Sequence, residues 1–395
     1  MLNEKMIALG SSRSVIRELF EYGKILKEKV GEENVFDFTL GNPYVPCPDE
    51  VNDYAIEVIK NDKSAHAYTS AQGDLLARKA ICDYNYNKYG YKLNENLIYM
   101  TCGAAAAIKI AFSSIISDCN EEILAVAPFF PEYRVFAETS GAKFNYVNCD
   151  EENFLVDFNE LEKSINKNTR ALIINTPNNP SGAVYDENTI IKISEILDKK
   201  QKEYGYPIYL ISDEPYREIL FDGAVCPFVP KYYKNTIICY SYSKALSLPG
   251  ERIGYVAISP EADLKEDLYF AIMGAGRALG YVCAPSLWQK VLIKHANKTS
   301  ETIPYKDNRD ILIEALEKLN FKCVNPKGAF YLFVKSPIEN AVEFSNIAKT
   351  YGLLLVPSDS FGVKGYIRIA TCVSKDTAVN SIPYFTKLAK DLKMI

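Results

Sequence analysis

A lysine, an aspartate, an arginine, two serines and an asparagine share one kind of position in this sequence, just beyond a short apolar run. Asp213-Glu214-Pro215-Tyr216 follows Pro207 to Ser212, and Ser241-Tyr242-Ser243-Lys244 ends the run that starts at Thr236, with Arg252 eight residues after the lysine. Asn175-Thr176-Pro177-Asn178-Asn179-Pro180-Ser181-Gly182 ends Ala171 to Asn175, Gly103-Ala104-Ala105 follows Leu97 to Thr101, and Pro128-Phe129-Phe130-Pro131-Glu132-Tyr133 follows Glu122 to Ala127. An arginine, two serine hydroxyls and the free amides of a helix start would hold a phosphate. A flat face such as Phe130 would stack on an aromatic ring, Asp213 would pair with a protonated ring nitrogen, and a lysine would form a Schiff base with an aldehyde. Phosphate, flat ring, basic nitrogen and aldehyde occur together in pyridoxal phosphate, which a protein positions and tunes electronically. The chain has no GxGxxG and no GxxxxGK[ST], so a dinucleotide or P-loop site is disfavoured.

These groups converge only if the runs that carry them lie side by side. The strand-like runs are 97–101, 122–127, 144–148, 171–175, 207–212, 236–242 and 253–259, several of them apolar nearly end to end, as strands buried on both faces are. Helical periodicity fills the gaps at 74–88, 104–116, 133–140 and 187–203. Such alternation predicts an α/β fold with a mostly parallel sheet covered by helices on both faces. In an open sheet of this kind ligands bind beyond the carboxyl ends of the strands, where the polar groups stand. From about residue 300 the texture changes: helices at 304–319, 340–350 and 375–393 surround strand-like runs at 329–334, 353–357 and 366–371. That predicts a smaller α+β domain.

Composition excludes other classes. The chain has 395 residues, 48% hydrophobic and 24% charged, which is globular and rules out disorder. A net charge of −5 from 45 basic and 50 acidic residues lacks the basic excess of a nucleic-acid binder. The first residues carry charges throughout, unlike a secretory signal. The longest apolar stretches, such as Ile123 to Phe130, fall far short of the roughly 18 residues of a membrane span. A soluble, cytoplasmic protein is expected. The ten cysteines are scattered without a CxxC pair and read as reduced, mostly buried thiols. With only His66 and His295 and no close cysteine partner for either, no metal site is expected.

The run SYSKALSLPGERIGY, with NTPNNPSGAVY and SDEPY upstream, resembles the signatures of the class I/II pyridoxal-phosphate-dependent aminotransferases, the aspartate-aminotransferase-like group of fold type I. PFFPEY, AYTSAQG at Ala67 to Gly73, KGAFYLF at Lys327 and FGVKGYIRIA near the end fit the same pattern, collinear from about Gly41 to Ala370. The resemblance implies a large cofactor domain over 46–290 and a small domain made of 1–45 and 291–395. Lys244 would be the Schiff-base lysine and, once released, the group that moves the substrate α-proton. Asp213 would hold the pyridine nitrogen, each favouring the other's charged form. Tyr216, three residues on and carried to the same side by a helical turn, and Asn179 would touch the phenolic oxygen. Ser241, Ser243, Arg252 and the backbone of Gly103, Ala104 and Ala105 would form the phosphate cup, and Phe130 would stack on the ring. Tyr68 would reach the phosphate of a neighbouring subunit, making the active unit a homodimer. Arg368, a charge within the strand-like GYIRIA, would clamp the substrate α-carboxylate, with Asn179 and the backbone of Gly41 beside it.

Arg17, in SSRSVIREL, is a further candidate for a distal carboxylate, which would favour aspartate and glutamate with 2-oxoglutarate as partner. Some aspartate-specific relatives carry a lysine at the position of Ala105, and this chain does not. Aromatic or branched-chain donors remain open. So does a β-elimination lyase acting on cysteine–sulfur bonds, although Pro215-Tyr216 stands where such relatives carry a histidine. A regulator built on the same fold would need a DNA-binding module, and only about 35 residues precede the first motif.

Overall fold

The computed structural model describes residues 2–11, 14–150 and 152–395. A short strand, β1 (Phe36–Asp37), precedes the main sheet. That sheet contains β2 (Ile98–Thr101), β3 (Glu122–Val126), β4 (Lys143–Val147), β5 (Thr169–Asn175), β6 (Tyr209–Asp213), β7 (Thr236–Ser241) and β8 (Gly254–Ile258). Their spatial order is β2-β8-β7-β6-β5-β3-β4. All pairings are parallel except those of β8, which runs antiparallel between β2 and β7. The central strands are buried along nearly their whole length, and the edge strand β4 buries only Phe144 and Val147. This is the expected α/β sheet, because crossover helices shield both faces.

The helices begin and end where their flanking residues dictate. Asp74 caps the helix Leu75–Tyr89 by accepting from the amides of Leu76 and Ala77, and Gly90 ends it in the left-handed conformation. Asp186 and Gly205 do the same for Glu187–Tyr204. The helices Val15–Val30, Asp49–Asn61, Lys265–Leu279 and Ser286–His295 and the short strand β1 were not read from the sequence pattern. The helix Lys265–Leu279 illustrates why: three glycine and alanine positions in Met273-Gly274-Ala275-Gly276 blur its apolar stripe, yet Gly276 lets it approach the Tyr99 ring closely.

The remaining strands are β9 (Lys322–Val324), β10 (Tyr331–Lys335), β11 (Leu353–Leu354), β12 (Val356–Pro357) and β13 (Tyr366–Ala370). The order β12-β13-β10-β9 forms an antiparallel sheet, and β1 pairs in parallel with β11. Phe36, Phe38, Leu332, Phe344 and Phe385 make its core with the helices Ile303–Lys318, Ala341–Thr350 and Lys375–Asp391. Residue 290 lies inside the helix Ser286–His295, whose Val291 and Leu292 pack into the core of the large sheet. Ala296, just past the helix, still packs in that core. Tyr216, Tyr305, Phe330 and Tyr331 form an aromatic cluster where the two sheets meet.

Candidate active site

The carboxyl ends of the parallel strands open on a cavity of about 340 Å³. Gly41, Ala104, Ala105, Phe130, Asn179, Asp213, Tyr216, Ser241, Ser243, Lys244, Arg252 and Arg368 all line it. They come from eight separate stretches of sequence on both sheets only because the strand order brings β2, β5, β6, β7 and β13 to one crevice.

At one end, β2 leads through Gly103, at φ 84°, into the helix Ala104–Ile115. No side chain caps that helix, so its first amides are free toward the cavity. A Cβ on Gly103 would stand 3.0 Å from Arg252 Nη2. Arg252 itself holds φ 54°, and its guanidinium donates to the carbonyls of Pro249 (3.0 Å) and Cys102 (3.3 Å). Among the described residues no carboxylate pairs with it. The hydroxyls of Ser241 and Ser243 lie 2.6 Å apart beside it. Hydroxyls, amides and an uncompensated guanidinium together suit a phosphate dianion.

In the middle, Asp213 ends β6 and is buried. One carboxylate oxygen accepts from the Tyr133 hydroxyl, and Oδ1 has no partner among the described residues. Burial, with the like charge of Glu214, pushes its carboxyl up to about 7 against the Tyr133 hydrogen bond. An unpartnered buried acceptor needs a donor, and a protonated ring nitrogen is one that also restores its charge. Asn175 fixes the strand end: its Nδ2 donates to the Asp213 carbonyl (2.9 Å) and its Oδ1 accepts from the Asn179 amide (2.7 Å). Tyr216 follows on a tight turn, not a helical one, with Ile219 donating to its carbonyl. Its hydroxyl is 3.0 Å from that of Tyr331. Lys244, on the short turn Tyr242–Ala245 after β7, donates to the Gly41 carbonyl. Burial, with Arg252 and Arg368 nearby, brings its ammonium down to about 8.

At the other end, Arg368 sits in mid-strand on β13 and is only 2% exposed. Nη1 donates to Asn179 Oδ1 (3.0 Å), Nη2 donates to the Thr39 carbonyl, and Nε has no partner. Its guanidinium lies 4.5 Å over the Tyr331 ring. No carboxylate pairs with it among the described residues, so a buried cation awaits an anion. A Cβ on Gly41 would collide with the Tyr331 hydroxyl at 1.9 Å, which keeps this strip of backbone bare against the cavity.

Three candidates are not in the cavity lining: Gly103, which abuts Arg252 at its edge, and Tyr68 and Arg17, which stand apart from it. Tyr68 is 94% exposed and points to no group of its own chain's crevice. Arg17 is exposed on the helix Val15–Val30, where its neighbour Ile16 lines the cavity instead. Successive helix positions point about 100° apart, and here Ile16 takes the inward position while Arg17 stays exposed. Ser12 and Arg13 of the same stretch lie outside the described residues. Sequence reasoning did not single out Tyr133, Asn175 or Tyr331. All three stand within motifs already noted, PFFPEY, the end of the 171–175 run and KGAFYLF, and alternation along β10 would have turned Tyr331 toward the same face as Phe333.

Comparison with known proteins gives the family. The family model for aminotransferase class I and II matches residues 33–381. The chain is 29% identical over 380 residues to the aspartate aminotransferase of Pyrococcus horikoshii, covering 94% of this chain and 93% of that protein. It is 28% identical over 400 residues to aromatic-amino-acid aminotransferase 2 of Thermococcus litoralis, covering 97% of each. The crystal structure of an aminotransferase from Eubacterium rectale superposes with a TM-score of 0.97 at 51% identity, covering 99% of each chain.

Proposed function

The chain belongs to aminotransferase class I and II and is a transaminase of the fold type I architecture, and on that premise we propose that it uses pyridoxal phosphate bound to Lys244 to exchange an amino group between an L-α-amino acid and a 2-oxo acid. The observation that carries this reading is the pairing of two unmet needs in one cavity: the free Oδ1 of Asp213 and the anion-free guanidinium of Arg368.

The residues divide the work by position. Ser241, Ser243, Arg252 and the first amides of the helix Ala104–Ile115 would bind the phosphate. Phe130 would cover one ring face. Asp213 would hold a proton on the ring nitrogen, and Tyr216 and Asn179 would hold the phenolic oxygen. When bound, pyridoxal phosphate supplies an electron sink for negative charge at the substrate α-carbon. Lys244, with its amine near neutrality, takes the proton from that carbon and returns one in the reverse half of a ping-pong cycle. Arg368 holds the substrate α-carboxylate by two parallel N–H donors, and with Asn179 aligns the α-carbon toward Lys244.

Aspartate or glutamate, with 2-oxoglutarate as acceptor, leads among donors, because the Pyrococcus relative is named for aspartate. Ile16, Leu40 and Ile108, apolar side chains in the cavity wall, favour a second reading, a neutral aromatic or branched donor. Arg17 is left out of the proposed substrate site. The exposed Tyr68 supports a homodimer in which that hydroxyl completes the phosphate site of the other copy, and ten unpaired cysteines fit a reducing, cytoplasmic compartment. The part after Ala296, with the N-terminal segment, would act as a small domain that closes on substrate and excludes water.

The test is a half-reaction screen. Single amino acids are added to cofactor-loaded enzyme without acceptor, and the visible absorbance of the cofactor is followed. Fastest bleaching by aspartate or glutamate supports the dicarboxylate reading. Fastest bleaching by tyrosine or leucine supports the neutral one. Release of pyruvate from cysteine with the absorbance regained would overturn transamination as the main activity.

A further inference from the structure

Asp213 has a second set of neighbours, on the far side of the sheet from the cavity. Successive residues of a strand face opposite ways, so Glu214 points away from the cavity that Asp213 lines. Its carboxylate accepts from Ser212 Oγ (2.7 Å) and from Arg217 Nη1 (2.7 Å). Arg217 is 1% exposed, and its Nε also reaches Glu218 Oε1 at 3.3 Å. Glu218 is nearly as buried, and it takes the Tyr84 hydroxyl at 2.9 Å and the Lys88 ammonium at 3.7 Å. The Arg217 guanidinium is walled by rings, with Tyr240 at 4.5 Å, Tyr89 at 5.2 Å and Phe228 at 5.6 Å.

This arrangement is expensive to build. Three carboxylates, Asp213, Glu214 and Glu218, lie within six residues of chain and are all buried. Arg217 is the single buried cation among them, with Lys88 at the exposed rim. Burying one such ion set is seldom a net source of stability, so its retention beside the site asks for another role. The same turn holds Asp213 at its start and Tyr216 one residue before Arg217, so whatever fixes Arg217 fixes both.

We propose that Arg217 and Glu214 are positioning residues that set the charge and direction of Asp213 from behind the sheet. Glu214 is the like charge next to Asp213, and Arg217 neutralises it. With Arg217 in place, Asp213 can stay ionised toward the ring nitrogen. A lysine would not serve, since only the guanidinium fork reaches Glu214 and Glu218 at once. Tyr133 from the helix Glu132–Thr139, Asn175 on β5, Cys239 on β7 and Tyr216 on the turn also border Asp213, and burial holds the thiol of Cys239 and the phenols of Tyr133 and Tyr216 far up, so none of these four is charged near neutrality. Lys244, Arg252 and Arg368 are the cations that line the same cavity, and they are the same in every variant compared below. The inference rests on the reading of Asp213 as the partner of the ring nitrogen.

The experiment measures the protonation midpoint of Asp213 in the cofactor-free full-length chain. Carboxyl stretches of [¹³C]aspartate-labelled protein are followed across pH by infrared difference spectroscopy, with Asp213→Asn subtracted to identify the band. Glu214→Gln removes the like charge, still accepts from Arg217 through its amide oxygen and turns the Ser212 bond round, its amide donating to the hydroxyl, so it is expected to lower the midpoint by about one unit, tenfold in proton affinity. Arg217→Met is expected to raise it, and Arg217→Met with Glu214→Gln to return it toward wild type. Opposite signs with rescue are not what a merely structural role gives. A Glu214→Gln midpoint that stays put or rises overturns the proposal, even where Arg217→Met does not fold. Pyridoxal phosphate binding to the wild type is titrated separately: failure there removes the cofactor assignment and leaves the charge relay to be judged on the midpoints alone.

Discussion

Tyr133 donates its hydroxyl hydrogen to one oxygen of Asp213 and leaves the other oxygen free toward the cavity. The bond sets which oxygen faces the site, and it opposes the rise that burial imposes on the carboxyl. Tyr133→Phe removes a donor to a charged acceptor, an interaction worth about 1.5–3 kcal/mol. The dissociation constant of pyridoxal phosphate should rise roughly tenfold or more, with little change in unfolding temperature of the loaded protein. Cofactor titration by absorbance checks this, and unchanged affinity would remove Tyr133 from the account.

Asp213 also makes the empty site a liability. Its carboxyl sits at about 7 in the folded chain against an ordinary 3.8. Between those values the unfolded chain has released a proton that the folded chain keeps, so stability falls as pH rises through the window. Above the window the full penalty is present, and below it none is. Asp213→Asn should therefore stabilise the cofactor-free protein at pH 8 by roughly 1–4 kcal/mol and leave it unchanged at pH 3. Denaturant melts at the two pH values decide the matter, and equal shifts at both would sink it.

Lys244 carries the complementary shift. Burial and two neighbouring arginines bring its ammonium from 10.5 to about 8, so about a tenth is a free amine at pH 7, against well under a thousandth for an ordinary lysine. Acylation of Lys244 in the cofactor-free protein by a small neutral ester, read by peptide mass spectrometry, should show a midpoint near 8. A midpoint near 10.5, where exposed lysines titrate, would mean the amine is hydrated and ordinary.

Much of this site was legible because the chemistry lies at strand ends. Turn and cap residues punctuate a buried parallel sheet, and the eye finds Asp213, Lys244 and Arg252 where apolar runs stop. Arg368 stood out for the opposite reason, as a charge in mid-strand. Tyr133 and Tyr331 were hidden because a buried tyrosine reads as core packing until its hydroxyl is seen to touch something. Arg217 was hidden because its partners Glu214 and Glu218 look like ordinary helix-surface spacing. The antiparallel placement of β8 between β2 and β7 was also out of reach, since side-chain periodicity carries no strand direction. The choice between Ile16 and Arg17 depends on one helix's rotation about its axis, which amphipathicity fixes only coarsely.

That rotation makes a test. Ile16 lines the cavity and Arg17 is exposed. Arg17→Gln should leave the ratio of kcat/KM for aspartate over leucine within about twofold, as surface substitutions do. Ile16→Ala should change that ratio by about tenfold or more, since it deletes three carbons and one methylene in a pocket is already worth about 1–3 kcal/mol. A collapse of aspartate use in Arg17→Gln would instead mean that the helix Val15–Val30 turns inward when substrate binds.

Arg368 separates charge from geometry. It is buried, stacked 4.5 Å over Tyr331 and oriented by Asn179 and Thr39, with Nε still unmet. Arg368→Lys preserves the charge, but an ammonium can neither fill the fork nor stack on the ring. Loss of one buried ion–carboxylate hydrogen bond of this kind costs about 2–5 kcal/mol, so KM for any amino donor should rise by roughly 30-fold or more. Because every donor shares an α-carboxylate, the loss should be equal for aspartate and leucine, and cofactor affinity should hold, since Arg368 stands at the opposite end of the cavity from the Ser241, Ser243 and Arg252 cluster. Half-reaction kinetics on both donors measure it. A loss confined to aspartate would assign Arg368 to the side chain of the substrate and reverse the orientation in which the cavity has been filled.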